Sequence, residues 1–326
     1  MMPKTEAQRT LPDSGRPLVS VRDLTVSTNH LQLVRGVSFD IHPGERVAMV
    51  GESGSGKSVT ARALMRLDPH FSLGGSVEMD GGNLLSLSEP EMRRRRGARI
   101  GMAFQDSLNA LDPLKTVGAQ VSETLRIRGV SASEARQRAL LVLDELKVDR
   151  AAARLDAYPH EFSGGMRQRV VIAMALIGEP ALLIADEPTT ALDVRVQERV
   201  LDLLHEISEQ RGLALILITH DMGVVAAMAD RVLVMYSGRI VEEGGVDAIF
   251  DRPGHPYTRG LLKAVPPIDH DLEQLDAIPG TPPDVRRRPS GCAFHPRCPS
   301  AMPVCAISEP TLAPVYATRR ACHLET

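Results

Sequence analysis

Residues 51–58 read Gly-Glu-Ser-Gly-Ser-Gly-Lys-Ser and match the phosphate-binding pattern G-x-x-x-x-G-K-[ST]. A short apolar strand is predicted directly before this loop, over 46–50, and a helix directly after it, from about residue 58 to 67. In this context the glycines let the backbone approach phosphates closely, and the N–H groups that open the helix attract their negative charge. The stretch therefore predicts a strand–loop–helix unit that binds ATP with Mg²⁺.

Two side chains of this loop carry specific expectations. Lys57 is predicted to contact the β- and γ-phosphates, and Ser58 is predicted to ligate Mg²⁺. The predicted nucleotide-binding residues of the loop are Gly51, Ser53, Gly54, Ser55, Gly56, Lys57, Ser58 and Val59.

A second motif is an apolar strand, residues 181–185, that ends in Asp186 and Glu187. At the carboxyl end of a strand beside the phosphate loop, Asp186 suits Mg²⁺ binding and Glu187 could polarise the attacking water. An apolar run followed by two carboxylates is common and often only structural. Its pairing with the phosphate loop favours the catalytic interpretation.

Outward from these motifs, strands alternate with helices, which predicts an α/β fold with a mainly parallel sheet. Residues 18–27 and 32–41 alternate in part and predict an antiparallel β subdomain. The stretch of about 106–180 is helical throughout and predicts a helical subdomain that interrupts the sheet.

The composition of the whole chain excludes several classes of protein. The chain has 326 residues, 43% of them apolar, which is enough for about two domains. A net charge of −3 and the lack of Trp give no reason to expect a nucleic-acid partner. No apolar run reaches the roughly 20 residues that span a bilayer. Residues 1–17 lack an apolar signal core and are expected to be a disordered tail, which predicts a cytoplasmic chain.

Ser163-Gly164-Gly165 precedes a predicted helix and offers a second anion-binding terminus. By itself it would pass as an ordinary helix cap. Together with the two motifs above, however, the chain resembles the nucleotide-binding subunit of an ABC transporter over roughly residues 18–262. The signature reads FSGGM where the usual form is LSGGQ, and Gln105 and His220 match the family's Q-loop and H-loop.

The resemblance implies an ABC-type P-loop ATPase domain over 18–265, whose ATP lies between two cassettes packed head to tail. It implies catalytic roles for Glu187, His220 and Gln105, and Mg²⁺ ligation by Ser58, Gln105 and Asp186. In the dimer these residues would face Ser163, Gly164 and Gly165 of the other cassette.

After Ala264 the composition becomes rich in proline, and residues 266–326 are predicted to form a small, loop-rich extension. The segments 255–258, 278–280 and 291–299 resemble the C-terminal extension of oligopeptide and dipeptide importers, with related forms in nickel importers. This implies a peptide-importing ATPase at the cytoplasmic face of the membrane. Its implied partners are a second ATPase subunit, two transmembrane permeases and an extracytoplasmic substrate-binding protein. A nickel or other small-solute importer and a soluble ABC ATPase remain alternatives.

All the cysteines lie in this extension, at Cys292, Cys298, Cys305 and Cys322. Clustered cysteines in a cytosolic chain indicate a metal site more often than disulfides. Four thiolates fit either Zn²⁺ or a [4Fe–4S] cluster, and the resemblance favours the cluster. Unligated cysteines remain a third possibility, and His295 or His323 could replace one thiol.

Overall fold

The computed structural model describes residues 15–190, 192–264 and 278–325. The predicted N-terminal tail therefore lies almost wholly outside the described residues. Among those residues, none of the helices combines the length and the apolar character needed to cross a bilayer.

The described strands are β1 (Val19–Thr28), β2 (Leu31–Ile41), β3 (Arg46–Val50), β4 (Ser72–Met79), β5 (Gly82–Asn83), β6 (Ile100–Ala103), β7 (Leu182–Asp186), β8 (Ala214–Ile218), β9 (Arg231–Tyr236), β10 (Arg239–Gly245), β11 (Ala313–Val315) and β12 (Thr318–Arg320). The α-helices are α1 (Lys57–Leu64), α2 (Glu89–Arg95), α3 (Ser107–Ala110), α4 (Val117–Ile127), α5 (Ala132–Glu145), α6 (Ala151–Arg154), α7 (Gly164–Leu176), α8 (Val194–Arg211), α9 (Met222–Met228), α10 (Val246–Asp251), α11 (Pro256–Lys263) and α12 (Pro303–Ile307).

The central sheet has the strand order β11-β12-β10-β9-β3-β8-β7-β6. Its strands β9, β3, β8, β7 and β6 are parallel to one another. The runs in β7 and β8 are almost entirely apolar and buried throughout, as expected for parallel strands covered on both faces. Because parallel strands end at one edge, the segments that follow β3, β6, β7 and β8 meet there, which is where such folds bind ligands.

The second sheet, in the order β2-β1-β4-β5, is antiparallel. It packs over α1, and one apolar cluster joins residues of both sheets with the helix, such as Val21, Leu64 and Ile216. The predicted antiparallel subdomain and parallel core are both confirmed.

Helices α3–α7 lie between β6 and β7 in the chain and share a core with α8. Ser131 caps the start of α5, because its side chain accepts a hydrogen bond from the Glu134 N–H at 3.2 Å. Helix α7 begins at Gly164, so the signature forms its first turn instead of preceding the helix.

The C-terminal extension is attached to the central sheet. Strand β12 pairs with β10, and β11 pairs with β12, so the extension continues the core sheet at one edge. The sequence predicted a loop-rich extension without these strands, because strands of three residues are too short to show an alternating pattern. The division near residue 265 stays a prediction, since residues 265–277 lie outside the described ones.

Candidate active site

The phosphate loop leaves the carboxyl end of β3 and enters α1. Gly51 has a φ of +144°, and a Cβ there would lie 2.2 Å from the Met235 main-chain oxygen, so only glycine fits. Gly56, with a φ of +107°, directly precedes the helix. The unpaired N–H groups of the first turn of α1 therefore open onto the loop, which is the arrangement that binds phosphate.

Lys57 is buried beneath this loop, with 6% of its surface exposed. Its ammonium donates to the main-chain oxygens of Gly51 at 2.7 Å and Glu52 at 3.0 Å. Burial lowers the pKa of Lys57, and the nearby carboxylates of Glu187, Asp186 and Glu52 oppose that shift. A phosphate entering the loop could take the place of these carbonyl oxygens and supply the buried cation with a full counter-charge.

Ser58 and Asp186 form the second part of the site. The Ser58 hydroxyl donates to Oδ1 of Asp186 at 2.8 Å, which links the start of α1 to the end of β7. Burial raises the pKa of Asp186, while the hydrogen bond from Ser58 opposes this shift. A hydroxyl and a carboxylate at this distance are hard oxygen ligands of the kind that Mg²⁺ uses beside a bound nucleotide.

The third part of the site is centred on the carboxylate of Glu187. Its Oε2 accepts from Gln105 Nε2 at 2.8 Å and from the Thr190 hydroxyl at 2.9 Å, and its Oε1 is 3.4 Å from His220 Nδ1. The segments after β6, β7 and β8 thus bring their polar side chains to one carboxylate. Such a carboxylate can accept a proton from, or orient, a water molecule.

The structure therefore brings the predicted Gln105, Glu187 and His220 together. It places Gln105 against Glu187 and not against Ser58 and Asp186, so its predicted role as an Mg²⁺ ligand stays a prediction. Glu187 also has a φ of +46°, a strained value for a residue with a side chain.

The signature residues lie elsewhere. Ser163 caps α7, with its side chain accepting from the Met166 N–H at 3.4 Å. Among the described residues, no hydrogen bond joins Ser163, Gly164 or Gly165 to loop 51–58. Gly165 is tightly packed, because a Cβ there would lie 2.4 Å from Cγ1 of Val196.

The four cysteines are free thiols and line one small cavity, here called the cysteine cavity, together with His255, His295 and His323. The expectation of a [4Fe–4S] or zinc site is not supported, because in the described part of the chain no three His, Cys, Asp or Glu residues are placed to hold a metal ion. Burial raises the pKa of Cys292 to about 11, so the cavity as it stands favours neutral thiols over the thiolates that bind metal.

Sequence reasoning missed a contact between the extension and the phosphate loop. Arg297 forms an ion pair with Glu52, the second residue of the loop, at 2.6 Å, and the Tyr257 hydroxyl accepts from the Glu52 N–H at 2.7 Å. Arg297 and Glu52 are 245 positions apart, and no local pattern links them.

Comparison with known proteins found matches for the ATPase domain and for the C-terminal region. Residues 34–190 match the family described as ABC transporter, and residues 241–305 match the oligopeptide/dipeptide transporter, C-terminal region. The oligopeptide transport ATP-binding protein OppD of Salmonella typhimurium is 45% identical over 327 residues, covering 98% of each chain. The dipeptide transport ATP-binding protein DppD of Bacillus subtilis is 51% identical over 296 residues, covering 88% of each chain.

Solved structures with the same fold include the dimeric structure of MJ0796, a bacterial ABC transporter cassette, with a TM-score of 0.63 and 30% identity. That similarity covers 70% of this chain and 98% of the other. The structure of cbiO1 from Clostridium perfringens, part of the ABC transporter complex cbiONQ, also has a TM-score of 0.63, at 28% identity, covering 73% of this chain and 92% of the other.

The similarity to OppD of Salmonella typhimurium covers 98% of this chain, so it spans the segments that hold the phosphate loop, the carboxylates at the end of β7 and the attached extension. The chain is an ATPase that belongs to the ABC transporter family, among the ATP-binding subunits that carry the oligopeptide/dipeptide transporter C-terminal region.

Proposed function

We propose that this chain energises the uptake of di- or oligopeptides by an ABC importer, working at the cytoplasmic face of the membrane. One observation carries the substrate class. The C-terminal region matched over 241–305 begins in β10 of the sheet that holds the ATP site and contacts the phosphate loop through Arg297, and the relatives similar over most of the chain are named for oligopeptide and dipeptide transport.

The roles proposed within the ATP site combine its geometry with the family resemblance, which alone supports Gln105 as an Mg²⁺ ligand. Loop 51–59 and Lys57 hold the β- and γ-phosphates, and the Lys57 ammonium leaves its two carbonyl partners for them. Ser58 and Asp186, with Gln105, hold Mg²⁺, which neutralises charge on the phosphates. Glu187 orients the attacking water, and His220 lies beside it to contact the γ-phosphate.

A second ATPase subunit completes the site in this proposal. Within this chain Ser163, Gly164 and Gly165 are not hydrogen-bonded to the phosphate loop, and Ser163 is exposed at the start of α7. A helix N-terminus of this kind binds phosphate oxygens, so two cassettes packed head to tail would each close the other's site. We propose a heterodimer of similar ATPases, bound to two permeases and served by an extracytoplasmic substrate-binding protein.

The proposal includes a [4Fe–4S] cluster on Cys292, Cys298, Cys305 and Cys322. The support is that all four thiols are free and border one cavity, although no three of them converge on a single ion. Bound there, the cluster would tie four points of a proline-rich segment together. Iron, sulfide and zinc analysis of anaerobically purified protein tests this, and a preparation that carries zinc or no metal contradicts it.

The transport assignment is tested by purifying tagged Glu187→Gln chain from its native membranes with ATP and Mg²⁺. This variant is expected to hold ATP and keep the assembled complex together. We expect two permeases, a second ATPase and a binding protein, and the ligand retained by the binding protein identifies the substrate as a peptide, nickel or another solute. A chain that returns alone, or with nucleic acid or ribosomes, contradicts the transport assignment but not the ATPase activity.

A further inference from the structure

We propose that Arg297 of the C-terminal extension is a positioning residue for ATP, which acts by neutralising and holding Glu52 of the phosphate loop. The proposal rests on the assignment of loop 51–58 as the ATP site. It assigns the extension a part in nucleotide binding that is separate from any role of its cysteines.

All three nitrogens of the Arg297 guanidinium donate hydrogen bonds. Its Nη1 and Nη2 donate to the two carboxylate oxygens of Glu52 at 2.6 and 2.9 Å, which is a bidentate pair. Its Nε donates to the Pro279 main-chain oxygen at 2.8 Å, and the group lies 5.9 Å from the ring centres of Tyr236 and Phe294. The Arg297 side chain is 6% exposed and that of Glu52 is 25% exposed, so the pair is only partly shielded from water, mainly on its arginine side.

Arg297 would affect phosphate binding indirectly, through its contact with Glu52. Its side chain is bound by Arg297, its N–H donates to the Tyr257 hydroxyl at 2.7 Å, and its carbonyl oxygen accepts from Lys57 Nζ at 3.0 Å. Ser55 N–H also donates to that carbonyl, at 3.2 Å. The main chain of Glu52 therefore helps to shape the loop and holds Lys57 beneath it until phosphates take the place of the carbonyl oxygen.

The charge of Glu52 makes its neutralisation necessary. A carboxylate at the second position of a phosphate loop stands close to where a polyanion binds, and its field already acts on Lys57. Arg297 supplies the matching positive charge in a contact that is partly shielded from water. Without it, the loop would present an unpaired anion to the phosphates and would lose one of its tethers.

A second ion pair between the extension and the core provides a matched control. Glu309 of the extension pairs with Arg35 of β2 at 2.9 Å, and their side chains are 21% (Arg35) and 26% (Glu309) exposed. This pair also anchors the extension, but neither residue belongs to loop 51–58. If Arg297 merely fixes the extension to the core, breaking either pair should affect the protein in the same way.

The experiment measures ATP affinity and the kinetics of hydrolysis in the full-length chain for Arg297→Gln, Glu52→Gln, the double variant and Glu309→Gln. We expect Arg297→Gln to weaken ATP binding by about tenfold, through a higher KM with little change in kcat, because Arg297 touches no reacting atom. Adding Glu52→Gln should restore most of the affinity, since it removes the unpaired negative charge. Glu309→Gln should bind ATP as the wild type does.

Two results would overturn the proposal. One is unchanged ATP affinity in Arg297→Gln, and the other is a loss that Glu52→Gln does not recover and that Glu309→Gln shares. Should Arg297→Gln fail to fold, Arg297→Lys retains the charge and loses the bidentate geometry, and ATP binding equal to the wild type would contradict the proposal. Lys57→Ala separates this failure from failure of the site itself, because normal ATP binding by that variant would show that loop 51–58 is not the ATP site.

Discussion

The edge of the parallel sheet and the cysteine cavity of the extension both bury reactive side chains, but they treat charge in opposite ways. At the sheet edge Lys57 and Asp186 are at most 6% exposed, and each lies beside groups of opposite charge or hydrogen-bond donors. In the cavity, burial holds the pKa of Cys292 at about 11 and that of His255 at about 3, so both groups are neutral near pH 7. The first region is prepared for a charged ligand, whereas the second becomes charged only if a partner such as a metal compensates for burial.

The largest effect is expected from changing the Glu187 carboxylate at the sheet edge. Glu187→Gln keeps the shape of the side chain and removes its charge, so we expect kcat for ATP hydrolysis to fall by about a hundredfold or more while ATP still binds. Thr190→Ala is the matched control, because it removes one hydrogen bond to Glu187 and leaves the carboxylate in place. Steady-state hydrolysis and nucleotide binding measure both effects, and near-normal kcat in Glu187→Gln would show that another group activates the water.

The next largest effect is expected at Gly51, in the main chain of the phosphate loop. In Gly51→Ala the new Cβ would meet the Met235 main-chain oxygen at 2.2 Å, and the residue would keep a φ of +144°. We expect the free energy of unfolding to fall by about 2–4 kcal/mol, with loss of ATP binding.

Gly54→Ala is the control for that change. Gly54 has a φ of +77° but no atom within 4 Å of a new Cβ, so only the backbone strain of about 1–2 kcal/mol applies. Denaturant unfolding of the two variants separates the close contact from the strain. Equal destabilisation would mean that the approach of Gly51 to β9 contributes nothing.

The last test addresses the cysteine cavity through the dependence of stability on pH. The unfolded chain protonates His255 near pH 6.5, whereas the folded chain does so only near pH 3. The stability that neutral His255 contributes is therefore complete above the higher value and is lost as the pH falls below it. Between about pH 4 and 6, we expect His255→Gln to reduce the slope of unfolding free energy against pH by about 1.4 kcal/mol per unit. His160→Gln removes an exposed histidine and should retain the wild-type slope. A wild-type slope in His255→Gln would show that the buried histidine is not neutral.

The two regions also differ in how far the sequence predicts them. The loop at 51–58 and the carboxylates after β7 are contiguous stretches, and their meeting follows from the rule that parallel strands end at one edge. Gln105 and His220 also follow strands of this sheet, β6 and β8, but only the family resemblance singled them out.

Much less of the extension could be predicted from the sequence. The pairing of Arg297 with Glu52 depends on how a proline-rich segment packs after the sheet has formed, and neither residue stands in a pattern that indicates the other. Strands β11 and β12 are set by pairing with β10 more than by their own residues. The cysteine spacing indicated a shared site, and the structure gathers the thiols around a cavity, but spacing cannot fix where four sulfur atoms point.

The pairing of β12 with β10 has a consequence for the solubility of the chain. Strand β10 is seven residues long, and without β12 its unpaired N–H and C=O groups would form an open template for another molecule. With the extension in place, the outermost strand is β11, which has three residues and includes Pro314, which cannot donate a hydrogen bond. A chain shortened to end at Ala264 would leave Glu242, Glu243 and Gly244 of β10 unpaired at the sheet edge, and we expect light scattering to show that it self-associates more than the full chain.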